Sequence, residues 1–338
     1  LKDNSDTTGL ETLGASVLGA VCGEPVILIG SERLSLAALT EAWEKPLEKV
    51  FPTRAETKAY FCQVPLYSER NQKAPAVQYA KPRVFIPAFP GTNCEYDTAK
   101  AFARAGADPE ILVIRNLTPA DVTASCEALV KAIGESQIVM LPGGFSGGDE
   151  PDGSAKLITA FFRNAAVREQ VTALLEQRDG LMLGICNGFQ ALIKLGLVPY
   201  GKIMDTDSGC PTLTYNVIGR HQSRLVRTRV CSNKSPWLAG TKVGDIYTVP
   251  ISHGEGRFLA SEELVKKLAE NGQIATQYVD LDGYATMNAA FNPNGSICAI
   301  EGITSPDGRV FGKMGHTERI GKELYRNVPG QYEMELFI

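Results

Sequence analysis

The sequence lacks several patterns that would assign it to a class of binding protein. Its eight cysteines are scattered, with no C-x-x-C pair and no metal-ligand spacing, so we expect no metal site. The formal net charge of −4 at pH 7 provides no basic excess for binding nucleic acid. No apolar run is long enough to span a membrane. These absences favour a soluble globular protein without a metal, nucleic-acid or membrane partner.

The beginning of the chain also lacks two familiar features. It has no signal peptide, which together with unpatterned cysteines predicts reduced thiols and a cytoplasmic location. It begins with Leu1 rather than Met, so we expect the chain to be part of a longer polypeptide.

The first 67 residues contain too little predicted structure for an independent domain. The predicted elements are a helix, a strand and a second helix with Ser35 as its N-cap, at 11–21, 25–29 and 35–50. Such a set buries too little apolar surface to be stable alone. Residues 68–82 are polar, contain proline and have no periodicity, which is typical of a linker. We therefore expect an α/β appendage over 1–67, a linker over 68–82 and the main domain over 83–338.

From Arg83 onward, short apolar runs alternate with helical patterns. Strands are predicted at 84–89, 110–114, 137–141 and 181–185, with helices at 97–105, 119–133 and in segments of 154–177. This alternation predicts an α/β fold with a mainly parallel sheet flanked by helices. Beyond residue 202 the pattern becomes β-rich, with one helix at 261–271. Because sites in parallel sheets lie at the carboxyl ends of the strands, the loops 90–95, 142–149 and 184–188 should converge.

The loop 184–188 has the composition of a nucleophile elbow. Gly184 and Gly188 lie two residues either side of Cys186, between a strand and a helix. The glycines permit a sharp bend, and the start of a helix favours the thiolate form of cysteine. A structural cysteine after a buried strand is the alternative interpretation. The two glycines favour the nucleophile.

Only three histidines are available as a general base for such a thiol. His316 and Glu318 have a spacing that places both side chains on one side of an extended segment. The carboxylate could then orient the imidazole while the ring transfers the proton. His253 and Glu255 offer the same spacing, so the spacing alone does not choose between the two pairs. His221 has no acidic neighbour.

The loop 142–149 (P-G-G-F-S-G-G-D) contains four glycines. The loop matches neither the P-loop pattern nor the dinucleotide-binding glycine pattern, which disfavours a phosphate-binding role. An oxyanion hole shared with the Asn187 N–H fits its predicted place beside the elbow, and a flexible loop is the alternative.

The pattern G-I-C-N-G-F-Q at 184–190, with the later H-T-E at 316–318, resembles the triad-type (class I) glutamine amidotransferases. Four further stretches resemble, within that family, the glutaminase domains of phosphoribosylformylglycinamidine synthases. They are F-P-G-T-N-C-E at 89–95, the loop 142–149, N-x-x-x-R at 216–220 and S-H-G-E-G-R-F at 252–258. The resemblance spans about residues 83–325 and implies a flavodoxin-like class I glutaminase fold. Residues 1–67 resemble the end of the synthase portion in the large single-chain form.

The resemblance implies a role for individual residues. Cys186 would be the nucleophile, His316 the general base and acid, and Glu318 the residue that orients it. The oxyanion and glutamine-binding positions would be Gly143, Gly144, Phe145, Asn187 and Gln190. The pocket or the contact with the synthase would involve Asn93, Glu95, Asn216, His253 and Glu255.

The implied activity is hydrolysis of L-glutamine through a cysteine thioester. The ammonia would serve the ATP-dependent conversion of formylglycinamide ribonucleotide (FGAR) to formylglycinamidine ribonucleotide (FGAM) in purine biosynthesis. FGAR, ATP and Mg would bind to the synthase portion, and this chain would carry no cofactor. The alternatives are the glutaminase domain of another amidotransferase and a non-catalytic domain of the same fold.

Overall fold

The structure, a computed structural model, describes residues 9–53, 55, 60–70, 77–147, 155–319 and 324. The chain divides into two units, Leu1–Thr53 and Arg54–Ile338. None of the described helices combines the length and the apolar character needed to span a membrane. Gly148, Asp149 and part of the predicted linker lie outside the described residues.

The first unit contains a β-hairpin followed by one short helix. Strand β1 (Val26–Ile29) pairs antiparallel with β2 (Glu32–Ser35), and helix α1 (Leu36–Glu44) follows. Ser35 caps α1 as predicted, since its Oγ accepts a hydrogen bond from the Ala38 N–H at 3.4 Å. Within this unit α1 buries none of its residues.

The helix predicted over 11–21 is wrong. Only Glu11–Leu13 form a single 3₁₀ turn, and the chain beyond has no helical structure up to β1. Gly14 adopts a positive φ of 76°, which ends the turn. Val17 and Leu18 are almost fully exposed, so no packing stabilises a helix that is too short to persist by itself.

A nine-stranded sheet organises the second unit. In spatial order its strands are β4 (Asp108–Val113), β3 (Arg83–Ala88), β5 (Ile138–Leu141), β6 (Leu181–Ile185), β13 (Val310–Lys313), β12 (Ile300–Thr304), β11 (Ile274–Val279), β8 (Gln222–Val230) and β9 (Ile246–His253). The five strands from β4 to β13 are parallel, and the remaining four continue the sheet antiparallel. A separate two-stranded sheet joins β7 (Thr212–Tyr215) to β10 (Glu255–Leu259).

Helices flank this sheet. They are α2 (Glu95–Arg104), α3 (Pro119–Glu135), α4 (Lys156–Phe162), α5 (Ala165–Glu176), α6 (Asn187–Leu195), α7 (Leu197–Tyr200) and α8 (Glu262–Glu270). The predicted α/β class is therefore confirmed, and the sheet is mixed because the β-rich segments extend it. Thr118 is the N-cap of α3 and forms a capping box with Asp121.

The middle of the sheet positions the nucleophile. Strand β6 lies between β5 and β13, and its residues Met182, Leu183 and Ile185 are buried. Helix α6, which follows directly, is buried along nearly its whole length and packs on β5, β6 and β13. Cys186 is therefore fixed between a central strand and a buried helix.

The segment 60–70 packs within the second unit. Val64 is buried, Tyr67 bridges Ser232, and the Cys298 N–H donates to the Tyr60 carbonyl at 3.0 Å. The ammonium of Lys234 lies 5.7 Å from the Tyr67 ring centroid. These contacts place 60–70 with the sheet domain, whereas the sequence predicts that this domain begins at 83.

Candidate active site

Cys186 occupies the sharp turn between β6 and α6. Its backbone has φ 52° and ψ −104°, a conformation that L-residues rarely adopt outside strained functional turns. A Cβ on Gly188 would strike the Leu141 carbonyl oxygen, and one on Gly184 would lie 2.7 Å from Gly188. Both flanking glycines are therefore required by close backbone approach, as the sequence predicts for an elbow.

The imidazole of His316 is held by Glu318. The Nδ1 atom of His316 lies 2.6 Å from the Glu318 carboxylate, and both side chains are about 1% exposed. Nδ1 therefore carries the proton that Glu318 accepts, which leaves Nε2 to act on a substrate. Nε2 makes no hydrogen bond within the described part of the chain.

The electrostatics favour a protonated His316. Burial lowers the pKa of His316, but the Glu318 carboxylate and the thiols of Cys186 and Cys94 raise it, so the pKa lies well above the ordinary value. The Cys186 thiol lies beside the ring without a hydrogen bond to Nε2 and donates a long contact of 3.8 Å to the Ser252 carbonyl. Such contacts commonly tighten when substrate binds.

The loops 90–95 and 142–147 are paired at the edge of the site. The N–H groups of Asn93 and Cys94 donate to the Gly143 carbonyl at 3.2 and 3.3 Å, and the Phe145 N–H donates to the Gly91 carbonyl at 2.8 Å. A Cβ on Gly143 would lie 2.6 Å from His316 Cε1. The absence of a side chain at Gly143 therefore leaves the space that the imidazole occupies.

The resemblance predicts that the backbone N–H groups of Gly144 and Asn187 hold the oxyanion. Gly144 and Thr92 form a bridge whose hydrogen bonds come from the flanking residues, so the Gly144 N–H points away from Thr92. The Asn187 N–H belongs to the first turn of α6, where such groups have no partner within the helix. The Phe145 N–H is already donated to Gly91.

The side chains of Asn187 and Gln190 join α6 to the loop 142–147 and to strand β10. The Ser146 N–H donates to Asn187 Oδ1 at 3.2 Å, and Asn187 Nδ2 donates to Gln190 Oε1 at 2.9 Å. Gln190 Nε2 in turn donates to the Glu255 carbonyl at 2.6 Å. In this structure both ends of the Gln190 amide are bonded to protein groups.

His253 makes a different set of contacts from His316. Its Nδ1 lies 3.0 Å from Asn216 Oδ1, and Asn216 Nδ2 donates to the His253 carbonyl at 2.8 Å. Burial, reinforced by His316 and His221, lowers the pKa of His253 to about 3. His253 is therefore neutral and bonded to an amide instead of a carboxylate.

Sequence reasoning missed two side chains beside the triad. Cys94 lies 3.8 Å from His316 Nδ1, and Arg319 Nη2 lies 2.9 Å from the Cys94 thiol. The exposed Asn93 accepts from both of them. Cys94 belongs to the quoted motif 89–95, which could have identified it.

Cys94, His316 and Glu318 each have an atom that could bind a metal ion, and these atoms lie within 4.8 Å of one another. The adjacent Arg319 guanidinium disfavours a bound cation there. Glu95, another residue predicted for the pocket, follows Cys94 and is the first residue of α2. Its Oε2 atom is buried and has no hydrogen-bond partner in the described part of the chain.

Comparisons with known proteins agree with this geometry. The profile of the CobB/CobQ-like glutamine amidotransferase domain matches residues 81–337. The chain is 35% identical over 257 residues to the phosphoribosylformylglycinamidine synthase subunit PurQ of Methanococcus maripaludis, covering 75% of this chain and 87% of that protein. It is 34% identical over 242 residues to the subunit of the same name from Aquifex aeolicus, covering 70% and 90%.

A comparison with solved structures matches the chain to the structure of PurLQS from Thermotoga maritima. It is 26% identical, with a TM-score of 0.53, and the match covers 76% of this chain and 96% of that one. The chain therefore belongs to the CobB/CobQ-like glutamine amidotransferase family. Within that family it groups with the glutaminase component of phosphoribosylformylglycinamidine synthase.

Proposed function

We propose that this chain hydrolyses L-glutamine to glutamate and ammonia at Cys186, and that the ammonia is used to convert FGAR to FGAM. The observation that carries the proposal is the buried 2.6 Å contact between His316 and Glu318 beside a strained cysteine elbow. A nucleophile, a base and an orienting carboxylate are the three parts that thiol-based acyl transfer requires.

The first half-reaction forms a thioester. The Cys186 thiolate attacks the side-chain carboxamide carbon of glutamine, and the carbonyl oxygen becomes an oxyanion. The N–H groups of Gly144 and Asn187 stabilise that charge. As the C–N bond breaks, His316 donates a proton to the nitrogen, and ammonia leaves behind a γ-glutamyl thioester.

The second half-reaction restores the enzyme. Neutral His316 accepts a proton from water as the water oxygen attacks the thioester carbon. The C–S bond then breaks, which releases glutamate and returns the Cys186 thiolate beside protonated His316. Glu318 stabilises the imidazolium in both halves, in agreement with the raised pKa of His316.

The use of the ammonia to convert FGAR to FGAM requires a synthase portion. The relatives are named as a synthase subunit, PurQ, and the structural neighbour is named PurLQS. We assign FGAR, ATP and Mg to such a partner, and residues 1–67 to the end of the same synthase portion. We expect no ATP-dependent synthesis by this chain alone, and weak glutaminase activity until the partner is present.

A glutamine-analogue label with a diazo-ketone group tests the proposal. Mass spectrometry should find one adduct, on Cys186, and Cys186→Ala should give none. In complex with a synthase partner, Cys186→Ala should lose at least ~1,000-fold in glutamine hydrolysis without a large change in thermal unfolding. Cys231→Ala, which removes another buried thiol, one that is bonded to the Arg229 carbonyl and the Gln277 side chain, should keep both the adduct and the activity.

Three results would contradict parts of the proposal. Glutamine hydrolysis by Cys186→Ala at the parent rate would exclude Cys186 as the nucleophile. An unlabelled parent chain that binds glutamine without hydrolysing it in the complex would indicate a non-catalytic domain of the same fold. Transfer of ammonia to an acceptor other than FGAR would assign the chain to another amidotransferase.

A further inference from the structure

The side chain of Asn187 connects the helix that follows the nucleophile to the loop 142–147. Asn187 is the first residue of α6 and is fully buried. Its Oδ1 accepts the Ser146 N–H at 3.2 Å, between residues 41 positions apart in the sequence. The N–H groups on either side of Ser146 donate instead to the loop 90–95. The loop 142–147 is therefore held by the loop 90–95 and by α6.

The orientation of the Asn187 amide is fixed by a chain of hydrogen bonds with defined ends. At one end the Glu255 carbonyl can only accept, so Gln190 must present its Nε2 group, which lies at 2.6 Å. Gln190 Oε1 then accepts from Asn187 Nδ2 at 2.9 Å. The remaining Asn187 Oδ1 faces the Ser146 N–H, which can only donate. Neither amide can therefore turn over without placing two acceptors together.

The whole chain of hydrogen bonds lies in the interior. Ser146, Asn187, Gln190 and Glu255 are each at most 4% exposed. Water does not reach a buried polar group to replace a lost partner, so each of these hydrogen bonds resists opening. The chain is thus a stiff connection from the loop 142–147 through α6 to β10.

This connection acts on the loop next to a predicted oxyanion donor. The Gly144 N–H lies two residues before Ser146, and the Asn187 N–H lies on α6. On the other side of Gly144, a Cβ on Gly188 would strike the Leu141 carbonyl oxygen, so α6 packs directly against the end of β5. Gly144 therefore lies between two points at which α6 holds the chain.

We propose that Asn187 is a positioning residue whose side chain, acting through Ser146, holds the Gly144 N–H in place for the oxyanion. An oxyanion hole is effective when its donors are aligned before charge develops, because no reorganisation is then needed during the reaction. The proposal rests on the proposed function and deepens it. The backbone of Asn187 supplies one donor, its side chain aligns the other, and Gln190 orients the Asn187 amide.

The first test is the variant Asn187→Leu. Leucine has a similar size and keeps the backbone N–H, but it removes both side-chain hydrogen bonds. In complex with a synthase partner, kcat for glutamine hydrolysis should fall roughly 100-fold, since a displacement of about 1 Å in a catalytic group has that effect. KM should stay close to that of the parent, because the oxyanion forms only in the transition state.

Two measurements on the full chain separate lost alignment from damage to the elbow. Iodoacetamide alkylates a thiolate without forming an oxyanion, so Cys186 of Asn187→Leu should be labelled at the parent rate, as followed by mass spectrometry. Hydrogen–deuterium exchange of the peptide 142–147 should become faster, because the Ser146 N–H has lost its acceptor. Neither measurement requires glutamine or a partner.

Asn292→Leu is the matched control. It makes the same substitution at another fully buried asparagine, whose side chain bonds the N–H and the carbonyl of Ser296. It should lower the thermal stability and keep the parent kcat. If Asn187→Leu does not fold, Asn187→Ala, which adds no bulk, should give the same changes in kcat, labelling and exchange.

The proposal is overturned if the Asn187 variant keeps the parent kcat, if exchange of the peptide 142–147 is unchanged, or if Cys186 labelling slows as much as hydrolysis. An equal loss of kcat in Asn292→Leu would also overturn it, because the effect would then follow from the loss of any buried amide. Failure of the proposed function would differ: the parent complex would not hydrolyse glutamine, while exchange in Asn187→Leu would still be faster.

Discussion

At the scale of single residues, two buried histidines have pKa values displaced in opposite directions. His316 lies against the Glu318 carboxylate, which stabilises its charged form. His253 lies against the Asn216 amide, which cannot compensate a charge, so burial lowers its pKa to about 3. Each histidine is followed by a glutamate two residues later, so the spacing does not distinguish the two. The hydrogen-bond partner of the ring decides which histidine is stabilised in its charged form.

The depressed pKa of His253 predicts a contribution to acid unfolding. Below pH 6.5, the ordinary pKa of histidine, His253 binds a proton in the unfolded chain but stays neutral in the folded chain. The free energy of unfolding therefore falls as the pH decreases from 6.5 towards about 3. The slope from this group is about 1.4 kcal/mol per pH unit at full effect. We expect His253→Gln, which removes the titrating group, to flatten the pH dependence of the free energy of unfolding between about pH 6 and 4.

Urea unfolding at several pH values measures this slope. His221→Gln is the matched control, since it makes the same substitution at an exposed histidine just before β8, and the flattening should occur in His253→Gln and not in this control. A parent-like slope in His253→Gln would show that other groups cause the acid unfolding.

At the scale of elements, the glycine loop 142–147 is shaped by what lies against it. Gly144 has a φ of 146°, and a Cβ there would lie 2.6 Å from the Gly91 carbonyl oxygen. The pattern of glycines predicts a loop with inward N–H groups, and the bridge between Gly144 and Thr92 gives that loop a defined shape. The predicted parallel sheet already brings the loop 90–95 to the same edge, but the hydrogen bonds that pair the two loops were not predictable from either segment.

Substitution of Gly143 should damage the site more than the fold. The new Cβ would lie 2.6 Å from His316 Cε1 and 3.0 Å from the Cys94 thiol, so the imidazole must move. Because a displacement of about 1 Å in a catalytic group can cost roughly 100-fold, we expect Gly143→Ala to reduce glutamine hydrolysis by at least ~100-fold. Activity assays and thermal unfolding of the same preparations measure both effects.

Gly134→Ala is the matched control. It lies in α3, and its Cβ would meet only the flexible end of the Gln170 side chain at 3.3 Å. It should keep full activity and gain about 0.5–1 kcal/mol in stability. Equal activity in Gly143→Ala and Gly134→Ala would show that His316 does not depend on the space left by Gly143.

Other elements followed from the sequence because their signals are local. Helix α3 begins at Pro119, the first residue of the predicted helix, and β6 and α6 flank Cys186 as predicted. Strand β10 was missed because 255–259 contains two polar residues and one glycine, and its pairing with β7 gives it a strand conformation. Strand β12 begins only at Ile300, after a 3₁₀ turn with positive φ at Cys298 and Ala299.

At the scale of the whole molecule, the position of the domain boundary is testable. The segment 60–70 buries Val64 and places the Tyr67 ring where a Cβ on Gly272 would strike it. We therefore expect the chain 54–338, which keeps these contacts, to unfold at a higher temperature than a chain that begins at residue 81. The shorter chain 81–338 loses these contacts and should be less stable by about 2 kcal/mol or more, since burial of Val64 alone contributes roughly that amount.

Circular dichroism melting of the two truncated chains measures the difference. Equal melting temperatures for 54–338 and 81–338 would place the boundary near residue 83, as the sequence predicts.

The sequence by itself determined the local features of this protein: the alternation of strands and helices, the elbow around Cys186 and the candidate residues for its chemistry. Only the tertiary structure decided that the β-rich segments continue one sheet, that Cys94 lies beside His316, and that Glu301 binds the turn before His316. The physical reason is sequence separation. Cys94 and His316 are 222 residues apart, and no local pattern records which distant side chains meet when strands pair.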